Sequence, residues 1–155
     1  MTPATQQLKQ KKIPYEILQY QHDVNSTAYG LEVVEKLQLN AETVFKTLVL
    51  CTDTQQLVVA LVPVSSQLNL KALAKALKVK KVAMADIKKV ENTTGYILGG
   101  VSPIAQKKRL PTIIDNSAKN FEIIYVSGGK RGLEIALSPV DLAQLTQANF
   151  AKISD

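Results

Sequence analysis

Phe45-Lys46-Thr47-Leu48-Val49-Leu50-Cys51-Thr52-Asp53-Thr54-Gln55-Gln56-Leu57-Val58-Val59-Ala60-Leu61-Val62 is the stretch on which the fold turns. Two apolar, β-branched runs, Phe45–Cys51 and Gln56–Val62, flank the polar tetrapeptide 52–55, which predicts two core strands joined as a hairpin. Upstream, Thr2-Pro3 reads as the N-cap and first position of a short amphipathic helix around Leu8 that ends before Pro14. Tyr15 to Tyr20 predicts a strand. The polar stretch Gln21–Thr27 leads to a helix whose Leu31, Val34 and Leu37 share one face. Downstream, Asn69 can cap a helix through Leu77 with Leu70, Leu73 and Leu77 inward, and Met84 to Val90 predicts a second short helical piece. Asp86 reads as a helix-start residue and Asp115 as a strand-end turn residue. Thr112–Asp115, Glu122–Val126 and Leu133–Leu137 are further strand candidates, and Ser138-Pro139 opens a last helix with Leu142 and Leu145 inward. Hairpins interleaved with helices favour a mixed α/β (α+β) domain, a curled sheet flanked by helices, over a doubly wound parallel sheet.

The chain has 155 residues, 46% of them hydrophobic, and neither repeat nor linker, so residues 1–155 are expected to form a single domain. No run approaches the roughly 20 apolar residues that span a bilayer, and the N-terminus lacks a leader pattern, so a soluble, cytoplasmic protein without membrane attachment is expected. One cysteine, Cys51, and one histidine, His22, leave no material for a disulfide or a His/Cys zinc site, and no metal or cofactor is expected. The formal charge of +6 is polarised: residues 71–131 carry thirteen Lys/Arg against four Asp/Glu, the remainder six against nine. Such a field suits a polyanion, with tRNA the obvious candidate, although surface lysines can also be merely solvated. Aromatic residues make up only 5% of the chain, which argues for contact with phosphate and ribose rather than base stacking.

Five of the seven glycines lie in two loops, Leu98-Gly99-Gly100-Val101-Ser102-Pro103 and Ser127-Gly128-Gly129-Lys130-Arg131-Gly132, on either side of the basic run Gln106-Lys107-Lys108-Arg109. Glycine lets backbone N–H groups approach a carboxylate, carbonyl oxygen or phosphate, and it also makes tight turns; sequence alone leaves both readings open. Lys46 shares a strand face with Leu48 and Leu50, so it either sits at a rim with its ammonium in water or reaches into a pocket. Cys51 in an apolar run reads as a small core residue with no histidine placed to activate it. His22, in a polar segment, reads as a surface or loop-anchoring residue. Neither glycine loop carries a Gly-x-Ser-x-Gly elbow, which argues against a standard serine or cysteine hydrolase, and no P-loop or dinucleotide fingerprint supports a small-molecule phosphate binder.

Phe45-Lys46-Thr47-Leu48, the segment Thr94-Gly95-Tyr96-Ile97-Leu98-Gly99-Gly100-Val101-Ser102-Pro103-Ile104-Ala105-Gln106-Lys107-Lys108-Arg109, and Ile124-Tyr125-Val126-Ser127-Gly128-Gly129-Lys130-Arg131-Gly132-Leu133-Glu134 together resemble the YbaK/EbsC family, along nearly the whole chain. The resemblance implies a barrel-like sheet related to the editing domain of prolyl-tRNA synthetase, and hydrolysis of mischarged Cys-tRNA(Pro). It also implies tRNA and prolyl-tRNA synthetase as partners. It makes Lys46 the central active-site residue, with Thr47 supporting it, Gly99 and Gly100 offering N–H groups to an oxyanion, Ser127 and Tyr20 orienting amine and ribose, and Glu134 meeting the α-amino group. Gly128, Gly129 and Ser102 join Thr47 as substrate-binding candidates, although Ser102 can equally cap the following turn. Lys107, Lys108, Arg109, Lys130 and Arg131 are the candidate tRNA contacts. Two departures stand out: Glu134 replaces the aspartate usual in relatives, and Ala105 replaces a glycine, which argues that the backbone there avoids positive φ. A cysteinyl ester carries its own thiol, so intramolecular attack within a positioning pocket could replace a protein nucleophile. Deacylation of Ala-tRNA(Pro) or another mischarged tRNA, and a silent tRNA- or synthetase-binding module, are the alternative readings.

Overall fold

The computed structural model describes all residues 1–155. In chain order it contains α1 (Pro3–Gln10), β1 (Glu16–Gln19), α2 (Tyr29–Leu37), β2 (Phe45–Thr52), β3 (Leu57–Pro63), α3 (Leu70–Leu77), β4 (Val82–Met84), α4 (Ile87–Thr94), β5 (Thr112–Asp115), β6 (Ile124–Ser127), β7 (Leu133–Leu137), α5 (Pro139–Thr146) and β8 (Asn149–Ala151). The helix starts follow the capping chemistry read from sequence. Thr2 closes a capping box with Thr5, while Asn69, Asp86 and Ser138 accept from Ala72, Lys89, and Val140 with Asp141.

β3 is the spine. All seven of its residues are buried, and its antiparallel pairing with β2 runs from Phe45–Pro63 to Cys51–Leu57. Period-two alternation sends its side chains to opposite faces. Val58, Ala60 and Val62 pack with Leu73 and Ala74 of α3, whereas Val59 joins Val49, Leu57 and Leu110, with Val90 of α4 against them. The helices α3 and α4 therefore lie on opposite faces of one sheet. Between the sheets, Phe45, Leu61 and Ile114 meet Ile124, Val126, Ile135 and Leu137, with Leu8 of α1 and Leu142 of α5 closing the ends.

The curled, barrel-like sheet expected from the resemblance is corrected here. Two separate open sheets are present, one ordered β1-β7-β6 and one ordered β4-β2-β3-β5-β8, the latter mixed through parallel β3–β5 and β5–β8 pairs. Only the parallel bridge Val44–Tyr125 links them, so no ladder closes. The short helical piece expected at 84–90 is also displaced: β4 ends at Met84 and α4 begins at Ile87, capped by Asp86. On α2 the expected inward face is rotated, since Leu31 is 55% exposed while Val33 and Glu32 are buried. Glu32 can turn inward because three donors meet its carboxylate, as described below.

The pairing of β2 with β4 covers only Leu50–Thr52, and one further bond, Ala85 N–H to the Val49 carbonyl, ends it. Alternation of hydrogen bonds along β2, fixed by Val49 on this side and by Val64 N–H to the Val44 carbonyl on the other, points the Thr47 amide toward the same uncovered edge. The cavity lies along that gap.

Candidate active site

A cavity of about 300 Å³ opens between the free edge of β2, the start of α2, the β4–α4 junction, the 98–99 loop and the facing strands β6 and β7. Lys46, Thr47, Tyr20, Gly99, Ser127 and Glu134 all line it, so the structure brings together six candidates drawn from five chain segments. Ser127 and Glu134 are opposite one another in the β6–β7 register, which fixes them side by side. Tyr20, just past β1, is held by its N–H to the Gly132 carbonyl, 3.0 Å away. The rest of the lining is predominantly apolar, including Val33, Phe45, Leu48 and Val90, and contains neither histidine nor cysteine.

Apolar walls set the electrostatics. Glu134 is 6% exposed, and burial pushes its carboxyl up to about 8, so it carries a proton at neutral pH. Burial holds the Lys46 ammonium below the usual lysine range. It also raises the Tyr20 hydroxyl, with the Glu134 and Glu32 carboxylates acting in the same direction. Lys46 and Glu134 do not form an ion pair; the two in the structure both involve Glu32. The Thr47 hydroxyl is buried without any hydrogen-bond partner, an arrangement that costs about 1–3 kcal/mol.

The glycines divide by role. Gly99 lines the cavity at φ +84°, and its N–H is unspent. Gly100 does not line it, and the expectation of a second oxyanion donor is corrected: its N–H donates to the Ile97 carbonyl at 2.9 Å. A side chain at Gly100 would come within 2.7 Å of the Lys130 Cα, so this glycine lets the two loops touch. Gly128 and Gly129 also stand outside the lining. The Gly128 carbonyl accepts from the Thr2 hydroxyl, and the Gly129 N–H donates to Ser127 Oγ at 3.2 Å. They shape the loop that presents Ser127. Ser102 is fully buried away from the cavity, its Oγ accepting from Ile104 N–H at 3.2 Å, which is the turn reading. Ala105, contrary to expectation, adopts φ +57°.

The basic candidates separate too. Lys107 and Lys108 dock their backbone N–H groups on the last carbonyls of α4, Thr94 at 2.8 Å and Thr93 at 3.1 Å, leaving their side chains exposed. Arg109 lies by a different hollow with Gln7 and Leu145. Lys130 is exposed on the second glycine loop, but Arg131 has an internal task. Its Nε donates to the Leu98 carbonyl at 2.8 Å and its guanidinium lies 5.1 Å from the centre of the Tyr29 ring. The Leu98 N–H in turn donates to Glu91 Oε2 at 3.0 Å, so this wall of the cavity is pinned from both sides.

Several lining residues escaped the sequence reading. Ile87, Val90 and Glu91 have the i, i+3, i+4 spacing of one helix face, a signal that a correctly placed α4 exposes. Tyr29 carried no local signal. Beside it, Glu32 accepts from the Asp23 N–H at 2.7 Å, meets His22 Nδ1 at 2.6 Å and Lys36 Nζ at 3.1 Å. Burial alone would raise that carboxyl; these three donors outweigh it and hold it down at about 2. His22 thus anchors the loop entering α2. Cys51 lies outside the cavity, its Sγ beside Gln55, and no three His, Cys, Asp or Glu side chains cluster as metal ligands.

A lysine, hydroxyls and a protonated carboxyl in a mostly apolar cavity between two open sheets, with no histidine or cysteine among them, mark a small mixed α/β domain with a polar-lined pocket. Residues 26–145 match the aminoacyl-tRNA editing domain family, and the chain belongs to that family. A similar curated protein is one from Enterococcus faecalis with the provisional name Cys-tRNA(Pro)/Cys-tRNA(Cys) deacylase EbsC, 41% identical over 99% of this chain and 93% of its own length. Among solved structures, a protein described only as hypothetical superposes with a TM-score of 0.88 at 23% identity, covering 99% of each chain. A provisionally assigned trans-editing enzyme for prolyl-tRNA synthetase gives 0.79 at 20% identity over 91% of this chain and 87% of its own. At these identities the structural neighbours speak for the fold. No helix is long and apolar enough to cross a membrane.

Proposed function

We propose that the protein is a trans-editing aminoacyl-tRNA deacylase that hydrolyses Cys-tRNA(Pro), and Cys-tRNA(Cys) by the same route. The observation that carries the mechanism is the cavity lining, which concentrates Lys46, Thr47, Ser127, Tyr20 and Glu134, holds no histidine or cysteine, and shows no hydrogen bond from Lys46 to either the Thr47 or the Ser127 hydroxyl. An aminoacyl ester is already activated, and the cysteinyl thiol lies on the substrate itself. Its sulfur attacks the ester carbonyl carbon, the C–O bond to the ribose breaks, the thiol proton passes to the departing ribose oxygen, and water then opens the cyclic thioester. Proximity of this kind is worth about 7–11 kcal/mol in favourable cases.

In this reading the side chains position and stabilise. The Lys46 ammonium and the Gly99 N–H meet the developing oxyanion, and the Thr47 hydroxyl gains the partner it lacks. Tyr20 and Ser127 orient the ribose and the amine. Glu134 carries a proton at neutral pH, and the positive charge of an entering α-ammonium lowers its pKa, so that the proton is released to water and a carboxylate is left beside the ammonium. Residues 1–155 act as one editing unit, since Ala4, Leu8 and Ile153, outside the matched span, are fully buried in its core. Substrate tRNA is brought by prolyl-tRNA synthetase in the cytoplasm. A proline pocket excludes the similar-sized cysteine only weakly, and a second sieve then becomes useful.

The test is hydrolysis of Cys-tRNA(Pro) by the wild type and Lys46→Ala, with Ala-tRNA(Pro) alongside. Loss of the cysteinyl ester alone, slowed about 100-fold or more by the variant, is the expected result, on the scale of removing one oxyanion donor. Equal cleavage of both esters would remove the thiol from the mechanism, and no cleavage above buffer would remove the enzyme.

A further inference from the structure

The charge polarity of the sequence does not survive folding as a single patch, because the five-stranded sheet divides it. Lys71 and Lys75 of α3, with Lys78 at its C-cap, project from one face, while α4 covers the other. The α4 side is the side of the cavity. Ile87, Val90 and Glu91 line the cavity from within, and Met84 and Ile87, 60% and 52% exposed, also form its rim, so the mouth opens beside the β4–α4 junction.

Exposed cations stand at both ends of the β4–α4 segment and on α4 itself. Lys80 and Lys81 lead into β4, Lys88 and Lys89 occupy the first turn of α4, and Lys107 and Lys108 are fastened to its last turn through their backbone N–H groups. None of the six takes part in an ion pair. The three neighbouring carboxylates are committed to backbone N–H groups: Asp53 to Lys80 and Lys81, Asp86 to Lys89, and Glu91 to Leu98. An eight-residue helix is about 12 Å long, and a duplex strand presents a phosphate roughly every 3.4 Å of axis, so these cations can meet several phosphates together.

We propose that Lys80, Lys81, Lys88, Lys89, Lys107 and Lys108 form a rail that binds the phosphate backbone of the tRNA acceptor stem while its 3′ end enters the cavity. The inference rests on the aminoacyl-tRNA reading above and adds the direction of approach. The stem arrives over α4, and Arg109 and the α3 lysines take no part.

The measurement is anisotropy of labelled, unacylated tRNA(Pro) from 50 to 200 mM salt, run on the wild type, Lys80→Gln/Lys81→Gln, Lys88→Gln/Lys89→Gln and the α3 control Lys71→Gln/Lys75→Gln. Each rail pair is expected to lower the slope of log affinity against log salt by about 2, shrinking the loss of affinity across that range about tenfold, whereas the control keeps the wild-type slope. Hydrolysis of Cys-tRNA(Pro) by the same variants is expected to show a raised KM for the rail pairs only. Unchanged slopes in the rail pairs, or an equal loss in the α3 control, overturn the rail, and with wild-type hydrolysis intact they do so without touching the deacylase reading. A wild type that binds tRNA through the rail and cleaves nothing supports the rail and removes the deacylase.

Discussion

Ala105 sits at φ +57°, a conformation that costs a residue with a Cβ about 1–2 kcal/mol. Substituting glycine relieves that cost and gives back about 0.5–1 kcal/mol in unfolded-chain entropy, so Ala105→Gly is expected to stabilise by up to about 1 kcal/mol, read from the urea midpoint. A destabilisation of similar size would show that the methyl's packing against the core outweighs its strain. The residue also shows what a sequence hides. A glycine usual in relatives was missing, and its absence argued for an ordinary φ; the tertiary fold nevertheless forces the left-handed region. The glycines carry the same lesson. Their presence in two loops was legible, but the reason for each was not, because positive φ, close approach and a free N–H leave one signature in a sequence. Gly99 serves the cavity, Gly100 the contact with Lys130, and Gly129 the presentation of Ser127.

Arg131 shows how an element-scale role can differ from a compositional one. As a cation in a basic loop it counted toward tRNA, yet its Nε closes on the Leu98 carbonyl and its guanidinium lies over the Tyr29 ring. Arg131→Lys keeps the charge and loses the Nε–H bond to Leu98 and the planar guanidinium over Tyr29. We expect single-turnover deacylation to fall about fivefold, the scale of one hydrogen bond of about 1 kcal/mol, with faster amide exchange at 98–100 and unchanged tRNA affinity. Loss of tRNA affinity without the exchange change would return Arg131 to the phosphate contacts. Most elements were readable because capping residues and apolar runs are local: Asn69, Ser138 and the 45–62 hairpin fell where their chemistry placed them. β4 and β8 were missed because each spans three residues and exists through its neighbour in the sheet rather than its own pattern. Without β4 the start of α4 slid, and one wall of the cavity went unseen.

For the molecule as a whole, two carboxyls pull stability in opposite directions with pH. Glu32, held at about 2 against an ordinary 4.5, contributes stability that is complete above pH 4.5 and lost as pH falls toward 2. Glu134, raised from 4.5 to about 8, contributes in the reverse sense: the folded form binds the proton more tightly, so stability is full below pH 4.5 and declines as pH rises toward 8. Thermal unfolding across pH 3–9 is therefore expected to peak at roughly pH 5, with Glu134→Gln shifting the peak toward neutrality. A wild-type Tm that climbs between pH 5 and 8 would overturn the buried, protonated state of Glu134. The resting enzyme thus keeps an uncomfortable group in place, as sites under functional demand commonly do. The cavity itself owes its length to an unfinished seam. β4 zips against the second half of β2 and stops, and the cavity lies along the unzipped remainder. Where that seam ends acts as a gauge: on the proposed deacylase reading, one more pair of stitches would narrow the room for a substrate side chain and one fewer would widen it, without altering a single reacting group.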